Sequence, residues 1–368
     1  MKRIGGDRSY GRLWAGQVWR VFTIRFSRSA QFVLNTLVAA AAHFALAISS
    51  AQTWTLAAGG DLMFYSMDPK KPAFDSISPA FSQADVAYAN LEIPLTTAKT
   101  PTSRKSQEEI KARTQFVLKA DPAHIAQCQK LGLDLVSLGN NHTMDYGAPG
   151  MRDTINALNK AKIAYSGAGE NLTEATQVAV KTLPNGLRVG MVSYLAYVGT
   201  NALSKCMPAT QKSPGIAGLD LAARINDKAK QRLRAIVIRA RERSDVVLVA
   251  LHWGVEKQSK PIPYQIDLGR AFIDAGADGV LGAHPHVLQG REVYKGKPIL
   301  YSMGNLVSPL PAQSGVYTLN FDGRTFQSWS VRPMSNSGGK ALWLSKEMEA
   351  ARLKEIQSLD KLVPAPRK

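Results

Sequence analysis

The sequence predicts a layered α/β fold in which mixed β-sheets are flanked by helices. Short apolar runs typical of strands alternate with stretches of helical periodicity, an order that favours helices packed over a sheet. Two turn signals between apolar runs predict hairpins, so some strands should be antiparallel. The composition, with 45% apolar and 20% charged residues among 368, is that of a globular protein and excludes collagen-like, disulfide-scaffolded and mostly disordered chains.

Local patterns predict individual strands and helices along the chain. The strands are Trp54–Ala58, Val86–Ala89, Leu135–Leu138, Val246–Leu251 and Gly279–Leu281. The helices are Pro122–Leu131, Met151–Lys160, Leu221–Arg243 and Ile266–Ala275. The run Val246–Leu251 is apolar throughout, which is typical of a strand covered on both faces.

The remaining segments are turns, a loop and an extension. Pro184-Asn185-Gly186 lies between the runs 178–183 and 188–194, and Lys295-Gly296-Lys297 lies between Val293 and Ile299; each predicts a hairpin. Residues 198–218 are rich in Ser, Pro, Gly and Lys, which predicts an inserted surface loop bordering the site. A charged helical stretch from Lys340 predicts a terminal extension with a frayed tail.

The N-terminus has the order of a secretory signal. Seven cations between Lys2 and Arg28 precede an apolar stretch, Phe32 to Ile48, and the small residues Ser49, Ser50 and Ala51. This order predicts export by a cleaved signal peptide, or by an N-terminal membrane anchor. A buried N-terminal helix would explain the apolar run but not why the cations precede it. The predicted organisation is a signal or anchor at 1–51, one α/β domain at 52–335 and a charged extension at 336–368.

The charge balance bears on partners. The formal net charge is +18, but the cations beyond residue 51 are dispersed and carry no interleaved aromatics, so nucleic acid is not an expected partner. A diffuse positive field in an exported protein fits an anionic polymer of the cell envelope, and also fits an ordinary solvated surface. In an exported protein Cys128 and Cys206 could form a disulfide.

Polar groups follow the ends of the five predicted strands. The first ends at Gly59-Gly60-Asp61, the second at Asn90-Leu91-Glu92, the third at Gly139-Asn140-Asn141-His142, the fourth at His252-Trp253-Gly254 and the fifth at His284-Pro285-His286. Ligands of open α/β sheets bind outside the carboxyl ends of the strands, so these groups should converge. Carboxylates, an amide and imidazoles form a set that Zn, Mn or Fe accepts.

Each group taken alone has an ordinary structural explanation. His252 could be a hydrogen-bonded packing residue, Asp61 a helix cap, Glu92 a surface carboxylate, and residues 139–142 an Asx turn. The pair His284 and His286 is the most specific signal, because a rigid proline between two histidines can present both imidazoles to one centre. Five such groups in one structural context favour a shared site with a bound metal.

These residues carry a family resemblance over roughly Trp54 to Val307. The ordered motifs GGDLM, ADVAYANLEIPLT, LDLVSLGNNHTMDYG, SGAGENL, VALHWGVE, DAGADGVLGAHPHVLQG and YSMGN closely resemble the capsule-synthesis CapA family of bacterial poly-gamma-glutamate proteins, which is similar to the calcineurin-like metallophosphoesterases. The resemblance implies a metallophosphoesterase-like fold and one or two divalent metal ions. It places the metal ligands at Asp61, Glu92, Asn141, His252, His284 and His286. It gives His142 the place of the histidine that protonates a leaving group.

The sequence departs from the family pattern at two positions. Where phosphoesterases have a histidine two residues after the first aspartate, this chain has Met63, a thioether that cannot replace imidazole for a hard ion. The resemblance then implies one fuller ligand set, Glu92, Asn141, His252 and His284, and a poorer one, Asp61, Glu92 and His286. Ile93 stands where the family has glycine, so a different local turn is expected. Asn305 could orient a ligand or close a turn.

Three functions follow from this comparison. The first is an exported, metal-dependent hydrolase-type protein in synthesis, export or anchoring of an envelope polymer such as poly-gamma-glutamate, working alongside membrane-bound polymer synthesis machinery. The second is a non-catalytic polymer-binding accessory, and the third is a general phosphatase or nucleotidase. No Gly-x-Ser-x-Gly elbow, P-loop or dinucleotide glycine motif occurs in the sequence, which argues against serine hydrolases, kinases and dehydrogenases.

The N-terminal pattern makes a direct prediction. If Phe32 to Ile48 directs export and the small residues mark the cleavage site, the mature protein begins near Gln52 and is found outside the cytosol. Mass spectrometry of protein from fractionated cells measures the terminus. Protein with an intact Met1 in the cytosolic fraction would contradict the prediction.

Overall fold

The computed structural model describes residues 52–198, 200–221 and 225–366. The predicted export segment lies outside these residues. Within them, no helix is both long enough and apolar enough to cross a bilayer.

The described residues form a succession of strands and helices. The strands are β1 Thr53–Leu62, β2 Val86–Leu91, β3 Leu135–Ser137, β4 Ala164–Ser166, β5 Ala168–Gly169, β6 Ala179–Thr182, β7 Arg188–Val198, β8 Gly215–Ile216, β9 Gly218–Leu221, β10 Val246–Trp253, β11 Gly279–Ala283, β12 Arg291–Tyr294, β13 Lys297–Leu300, β14 Asn305–Val307, β15 Ala312–Asp322, β16 Thr325–Ser337 and β17 Lys340–Trp343. The helices are α1 Ser78–Ser82, α2 Gln107–Lys111, α3 Ile125–Leu131 after a 3₁₀ turn at Pro122–His124, α4 Gly147–Ala161, α5 Leu172–Ala175, α6 Thr200–Lys205, α7 Asp227–Arg243, α8 Pro263–Asp274 and α9 Lys346–Asp360.

Two mixed sheets organise these elements. The first has the order β17-β16-β15-β1-β2-β3-β4, with β14 beside β1, and the second has the order β12-β13-β11-β10-β7-β6, with β9 beside β7. β1 to β4 are mutually parallel, as are β7, β10, β11 and β13. The predicted mixed α/β architecture is confirmed, and both predicted hairpins occur, as β6–β7 and β12–β13.

Side-chain alternation shows how the two sheets pack. Leu56 and Leu248, on different sheets, share one buried cluster, so the sheets meet face to face. The intervening residue Ala57 packs in a cluster with the helices α3 and α4, and Val247 packs in a cluster with α7 and α8. Because successive strand residues point to opposite faces, the fold has four layers, helix, sheet, sheet and helix. The apolar run 246–251 is covered on both faces, as predicted.

Two predicted segments differ from the structure. Residues 198–218 are not a surface loop: they include α6 and β8, and Leu203, Cys206 and Ile216 are buried in the core. The prediction was wrong because the composition of this segment is mostly polar, whereas its few apolar residues pack on the first sheet. The charged helix begins at Asp227 rather than Leu221, because the Asn226 side chain accepts a hydrogen bond from the Ala229 backbone N–H and caps it.

The two cysteines do not form the disulfide that export would have allowed. Cys128 and Cys206 are buried thiols in the described part of the chain. Burial raises the pKa of each to about 12.

The C-terminal segment contributes to the packed fold. β17 pairs with β16 at the edge of the first sheet, and the Ile356 side chain of α9 is fully buried in the cluster between the sheets. The Asp360 carboxylate accepts hydrogen bonds from the backbone N–H and the guanidinium of Arg291 at 2.7 and 2.8 Å. At Gly290, an added Cβ would lie 2.4 Å from the Leu359 carbonyl oxygen. Only glycine therefore permits this close approach of α9.

The docking of α9 predicts a stability effect. Replacing Ile356 with Ala removes a fully buried side chain and should lower the free energy of unfolding by about 2 to 5 kcal/mol. The matched control is Met348→Ala on the same helix, where the side chain is 56% exposed and the change should be below about 0.5 kcal/mol. Denaturant titration of both variants measures the difference. Equal, negligible effects would show that α9 does not stabilise the fold.

Candidate metal centre

The parallel strands bring the predicted polar groups to one end of each sheet. Asp61 lies beside Asn90 in the β1–β2 register, and Glu92 follows β2. His252 lies beside Ala283 in the β10–β11 register, and His284 follows β11. Because the two sheets pack face to face, these strand ends meet, as predicted from the sequence.

The side chains crowd closely. The Glu92 Oε1 atom lies 3.2 Å from His252 Nε2 and 3.8 Å from His286 Nε2. The Asp61 Oδ2 atom lies 3.1 Å from His286 Nδ1, and the rings of His252 and His284 are 4.6 Å apart between centroids. Two groups, Asp61 with Glu92 and His252, and Glu92 with His284 and His286, each have ligand atoms within 4.8 Å of one another. Glu92 belongs to both groups, as a bridging ligand would.

Several of these atoms are buried without any hydrogen-bond partner among the described residues. They are Glu92 Oε1 and Oε2, Asn141 Oδ1, His252 Nε2 and His284 Nδ1. A buried polar atom left unpaired costs about 1 to 3 kcal/mol, and more if it is charged. A divalent cation would pair with all of them, so the donor set fits a metal.

Two criteria assign the ligands to metal positions differently: the distances between ligand atoms, and the absence of hydrogen-bond partners. Distance places His252 with Asp61, and His284 with His286. However, Asp61 already accepts hydrogen bonds from the Asn90 amide at 2.8 Å and the His284 backbone N–H at 3.3 Å. Pairing is the better guide, because a ligand atom that already has partners gains less from an ion. The unpaired atoms all belong to the fuller set that the family resemblance implies.

The structure distinguishes the two adjacent asparagines after β3. Asn140 is committed internally: its Nδ2 donates to the Leu91 carbonyl at 2.8 Å, and its Oδ1 accepts from the backbone N–H groups of His142 and Thr143. Asn141 Oδ1 is buried and unpaired among the described residues. Asn140 therefore shapes the turn, and Asn141 is the one free to bind an ion.

Three residues that the sequence analysis did not assign to a role support the predicted ligands. The Asn90 amide donates to Asp61 Oδ1 at 2.8 Å and lies 3.3 Å from His252 Nδ1. The Tyr197 hydroxyl lies 3.3 Å from His284 Nε2. Asn305, whose role the sequence left open, has its Oδ1 2.9 Å from His286 Nδ1. These contacts fix ring orientation, as the supporting groups of metal ligands do.

The backbone at the site is strained and tightly packed. His284 and His286 have φ angles of +99° and +57°, a region that costs a non-glycine residue about 1 to 3 kcal/mol and that occurs mainly at functional sites. At Gly60, an added Cβ would lie 1.8 Å from the Gly304 carbonyl oxygen. Glycine there lets Asp61 reach its place, where its N–H donates to that same oxygen at 2.9 Å.

His142 lies in a separate buried network. Its Nδ1 is 2.7 Å from Asp145 Oδ2, and the carboxylate sets this nitrogen as the hydrogen-bond donor. The Lys105 ammonium bonds Asp145 Oδ1 at 2.5 Å and the Asn141 carbonyl at 3.1 Å. Lys105 thus ties the loop of Asn141 to the partner of His142. Neither Lys105 nor Asp145 has a local sequence signal, because they are 40 residues apart.

The site shifts the proton affinities of its side chains. Burial lowers the pKa of His252 and of His284 well below the usual range, so both imidazoles are neutral at pH 7, the form that binds metal. Burial, with the nearby Asp61, raises the pKa of Glu92. Although burial opposes it, the carboxylates of Glu92 and Asp61 raise the pKa of His286 to about 10. Burial also lowers the pKa of His142, more than Asp145 raises it.

A cavity of about 850 Å³ opens beside the cluster. His142 and His286 line it, and Met63 lies at its wall where a phosphoesterase would have an imidazole. Several apolar side chains contribute to the lining of the cavity: Tyr65, Phe116, Leu118, Leu310 and Pro311. The volume is that of a site for a small ligand or a short polymer segment.

His124 is the described histidine that takes no part in this site. Its ring stacks on Phe64 with centroids 4.5 Å apart, and its Nε2 lies 3.2 Å from the Met67 carbonyl oxygen. It is a buried packing residue and serves as a control.

Known proteins resemble this chain over the same region. The profile of a family described as "Bacterial capsule synthesis protein PGA_cap" matches residues 55–310. The capsule biosynthesis protein CapA of Bacillus anthracis is 34% identical over 236 residues, which are 64% of this chain and 53% of that protein. The PGA biosynthesis protein CapA of Bacillus subtilis is 31% identical over 234 residues, 64% of this chain and 56% of that one. A probable polyglutamine synthesis accessory protein of Mycobacterium tuberculosis is 30% identical over 229 residues, 61% and 55% respectively. The chain spans about half the length of these curated relatives.

The unpaired atoms predict which variants lose metal. His252→Ala and His284→Ala each remove an unpaired ligand and should abolish binding of the tighter ion, whereas His286→Ala should chiefly weaken a second ion. The control His124→Ala removes a buried imidazole outside the site and should keep full metal content. Elemental analysis of the folded proteins measures this. Full metal content in all three site variants would contradict the assignment.

Proposed function

This chain belongs to the bacterial capsule synthesis protein PGA_cap family, and we propose that it is an exported protein acting on an anionic cell-envelope polymer through a metal-dependent hydrolytic site. The polymer class proposed is poly-gamma-glutamate or a similar polyacid. The names of the relatives support this choice, since they are described as capsule, PGA or polyglutamine synthesis proteins. The proposed role is in the synthesis, export or anchoring of that polymer, alongside membrane-bound synthesis machinery.

One observation carries the proposal of a metal site. The buried ligand atoms of Glu92, Asn141, His252 and His284 are unpaired among the described residues, and those of His252 and His284 each lie within 4.8 Å of Glu92. A site evolved only for packing would pair or remove these atoms, because each costs free energy of folding. Zn, Mn and Fe all accept this mixture of carboxylate, amide and imidazole.

The residues of the site suit hydrolysis. When bound, a divalent ion supplies Lewis-acid chemistry and makes a hydrolytic nucleophile available near neutral pH. His142 lines the cavity, and because Asp145 holds the proton on Nδ1, the other ring nitrogen would donate to a leaving group the second proton that it carries in the imidazolium form. The buried salt bridge between Lys105 and Asp145 keeps this imidazole in one orientation.

Met63 supports a second candidate function. A thioether in place of an imidazole weakens the second metal position. General phosphatases of this fold use that position, so general phosphatase activity is the least favoured of the three functions. A polymer-binding accessory with little catalysis tolerates the same loss. The intact His142–Asp145 pair favours catalysis, because a binding protein has no need for an oriented proton donor.

A single variant separates catalyst from binder. In the hydrolytic mechanism, His142→Ala should leave metal content and polymer affinity nearly intact but lower turnover by about 100- to 10,000-fold. Substrates with acidic leaving groups should suffer less, since they need little protonation. Turnover of the polymer and of two phosphate esters that differ in leaving-group pKa, with polymer affinity, measures this.

The contrary outcomes are distinct. Metal-dependent turnover that His142→Ala leaves unchanged would remove His142 from the mechanism. Polymer binding without turnover of any of these substrates by the wild type would replace the enzyme with the accessory function.

A further inference from the structure

The cavity beside the metal centre has a wall that lies outside the family match. The match ends at residue 310, whereas Arg352, Glu355 and Leu359 of α9 line the cavity together with His142 and His286. The helix is held in place by the buried Ile356 and by the bond between Asp360 and Arg291. A side chain on α9 that faces the cavity is therefore positioned by a rigid element, as a binding residue must be.

Arg352 is the cation that α9 presents to this cavity. Its side chain is only 16% exposed. The guanidinium carries five N–H donors, yet among the described residues it makes one side-chain hydrogen bond, from Nη1 to Glu355 Oε2 at 2.5 Å. Most of its donors thus remain available inside a partly enclosed cavity.

The bond to Glu355 is easily exchanged. Glu355 lies three residues along the same helix and is 57% exposed. Oppositely charged pairs three residues apart contribute about 0.2 to 0.5 kcal/mol to an isolated helix. A ligand that presents a carboxylate or phosphate to a guanidinium forms a stronger, two-pronged bond, so an acidic ligand can displace Glu355 from Arg352.

The rest of the lining fits a ligand with separate acidic and apolar parts. Phe116 and Leu310 are 44% and 62% exposed at the cavity, large apolar side chains that are ordinarily covered. Charged residues elsewhere in the lining are Glu256, Lys257 and His286, of which His286 belongs to the metal centre, and Glu256 and Lys257 are of opposite sign. Arg352 is therefore the group that gives this wall its preference for an anion.

We propose that Arg352 forms a binding subsite for an acidic group of the substrate, while the wall of Phe116 and Leu310 covers its methylene part. This inference rests on the proposed polymer function and specifies it: the substrate carries a carboxylate beside the bond that lies at the metal centre. A gamma-linked glutamate chain has this arrangement, with an acidic group and methylenes in each unit. The subsite is a feature of this chain's C-terminal helix.

Binding measurements on charge variants test the subsite. The probes are a labelled gamma-linked glutamate oligomer and a labelled short polyphosphate, measured by fluorescence anisotropy with metal-free and metal-loaded protein. Arg352→Gln should weaken oligomer binding by about 10- to 100-fold, and Arg352→Lys should restore part of the loss. Glu355→Gln should strengthen binding, because it removes the competing carboxylate. The matched control Lys354→Gln removes one exposed cation from the same helix and should change affinity less than about 2-fold.

The outcomes separate the subsite from the polymer function. Loss of oligomer affinity in Arg352→Gln, with a gain of oligomer affinity in Glu355→Gln, supports both the subsite and the polymer function. Polyphosphate binding that depends on Arg352, with no oligomer binding by the wild type, supports an anion subsite and contradicts the polyglutamate substrate. The subsite is overturned if wild type, Arg352→Gln and Lys354→Gln bind a probe with equal affinity. It is also overturned if the wild type binds neither probe. Thermal unfolding of each variant confirms that it is folded.

Discussion

The structure depends on one costly arrangement, a fully buried glutamate whose two carboxylate oxygens have no hydrogen-bond partner among the described residues. Glu92 faces two neutral imidazoles, those of His252 and His284, and shares its surroundings with Asp61. A buried carboxyl group whose oxygens lack hydrogen-bond partners costs about 1 to 3 kcal/mol, and more if it is charged, a large share of the usual stability of about 5 to 15 kcal/mol. A divalent cation bound to these ligands would offset that cost.

The fold serves this arrangement by bringing together the ends of two sheets. β1 and β2 supply Asp61 and Glu92, whereas β10 and β11 supply His252 and His284. The packing of both sheets through the buried cluster of Leu56 and Leu248 fixes their distance. The backbone is strained at the ligands, since both His284 and His286 lie in the left-handed region. Gly60 allows close contact with Gly304. The stability of the packed layers thus offsets the backbone strain at the site.

Much of this could be predicted from the sequence, because the signals were local. The apolar run 246–251 predicts a strand covered on both faces. A polar group directly after each strand predicts that the ligands lie together at the carboxyl ends of the strands. What escaped prediction depends on contacts between distant residues. Lys105 acts through Asp145, and Arg352 reaches the cavity only because α9 docks on Arg291; nothing in the neighbouring sequence marks either. The sequence of residues 198–218 predicts a loop because its few apolar residues, such as Leu203, show no periodicity, and only contact with the first sheet buries them.

The proposed metal ion would be bound by Glu92, Asn141, His252 and His284. The most direct measurement is anomalous X-ray scattering from crystals of protein purified without added metal, recorded on both sides of the zinc, iron and manganese edges. We expect an anomalous peak within bonding distance of Glu92 and of both imidazoles, at about 2.0 to 2.2 Å from nitrogen and oxygen ligands if the metal is zinc. Density for water alone, with Glu92 hydrogen-bonded to it and no anomalous signal even after soaking in these metals, would contradict it.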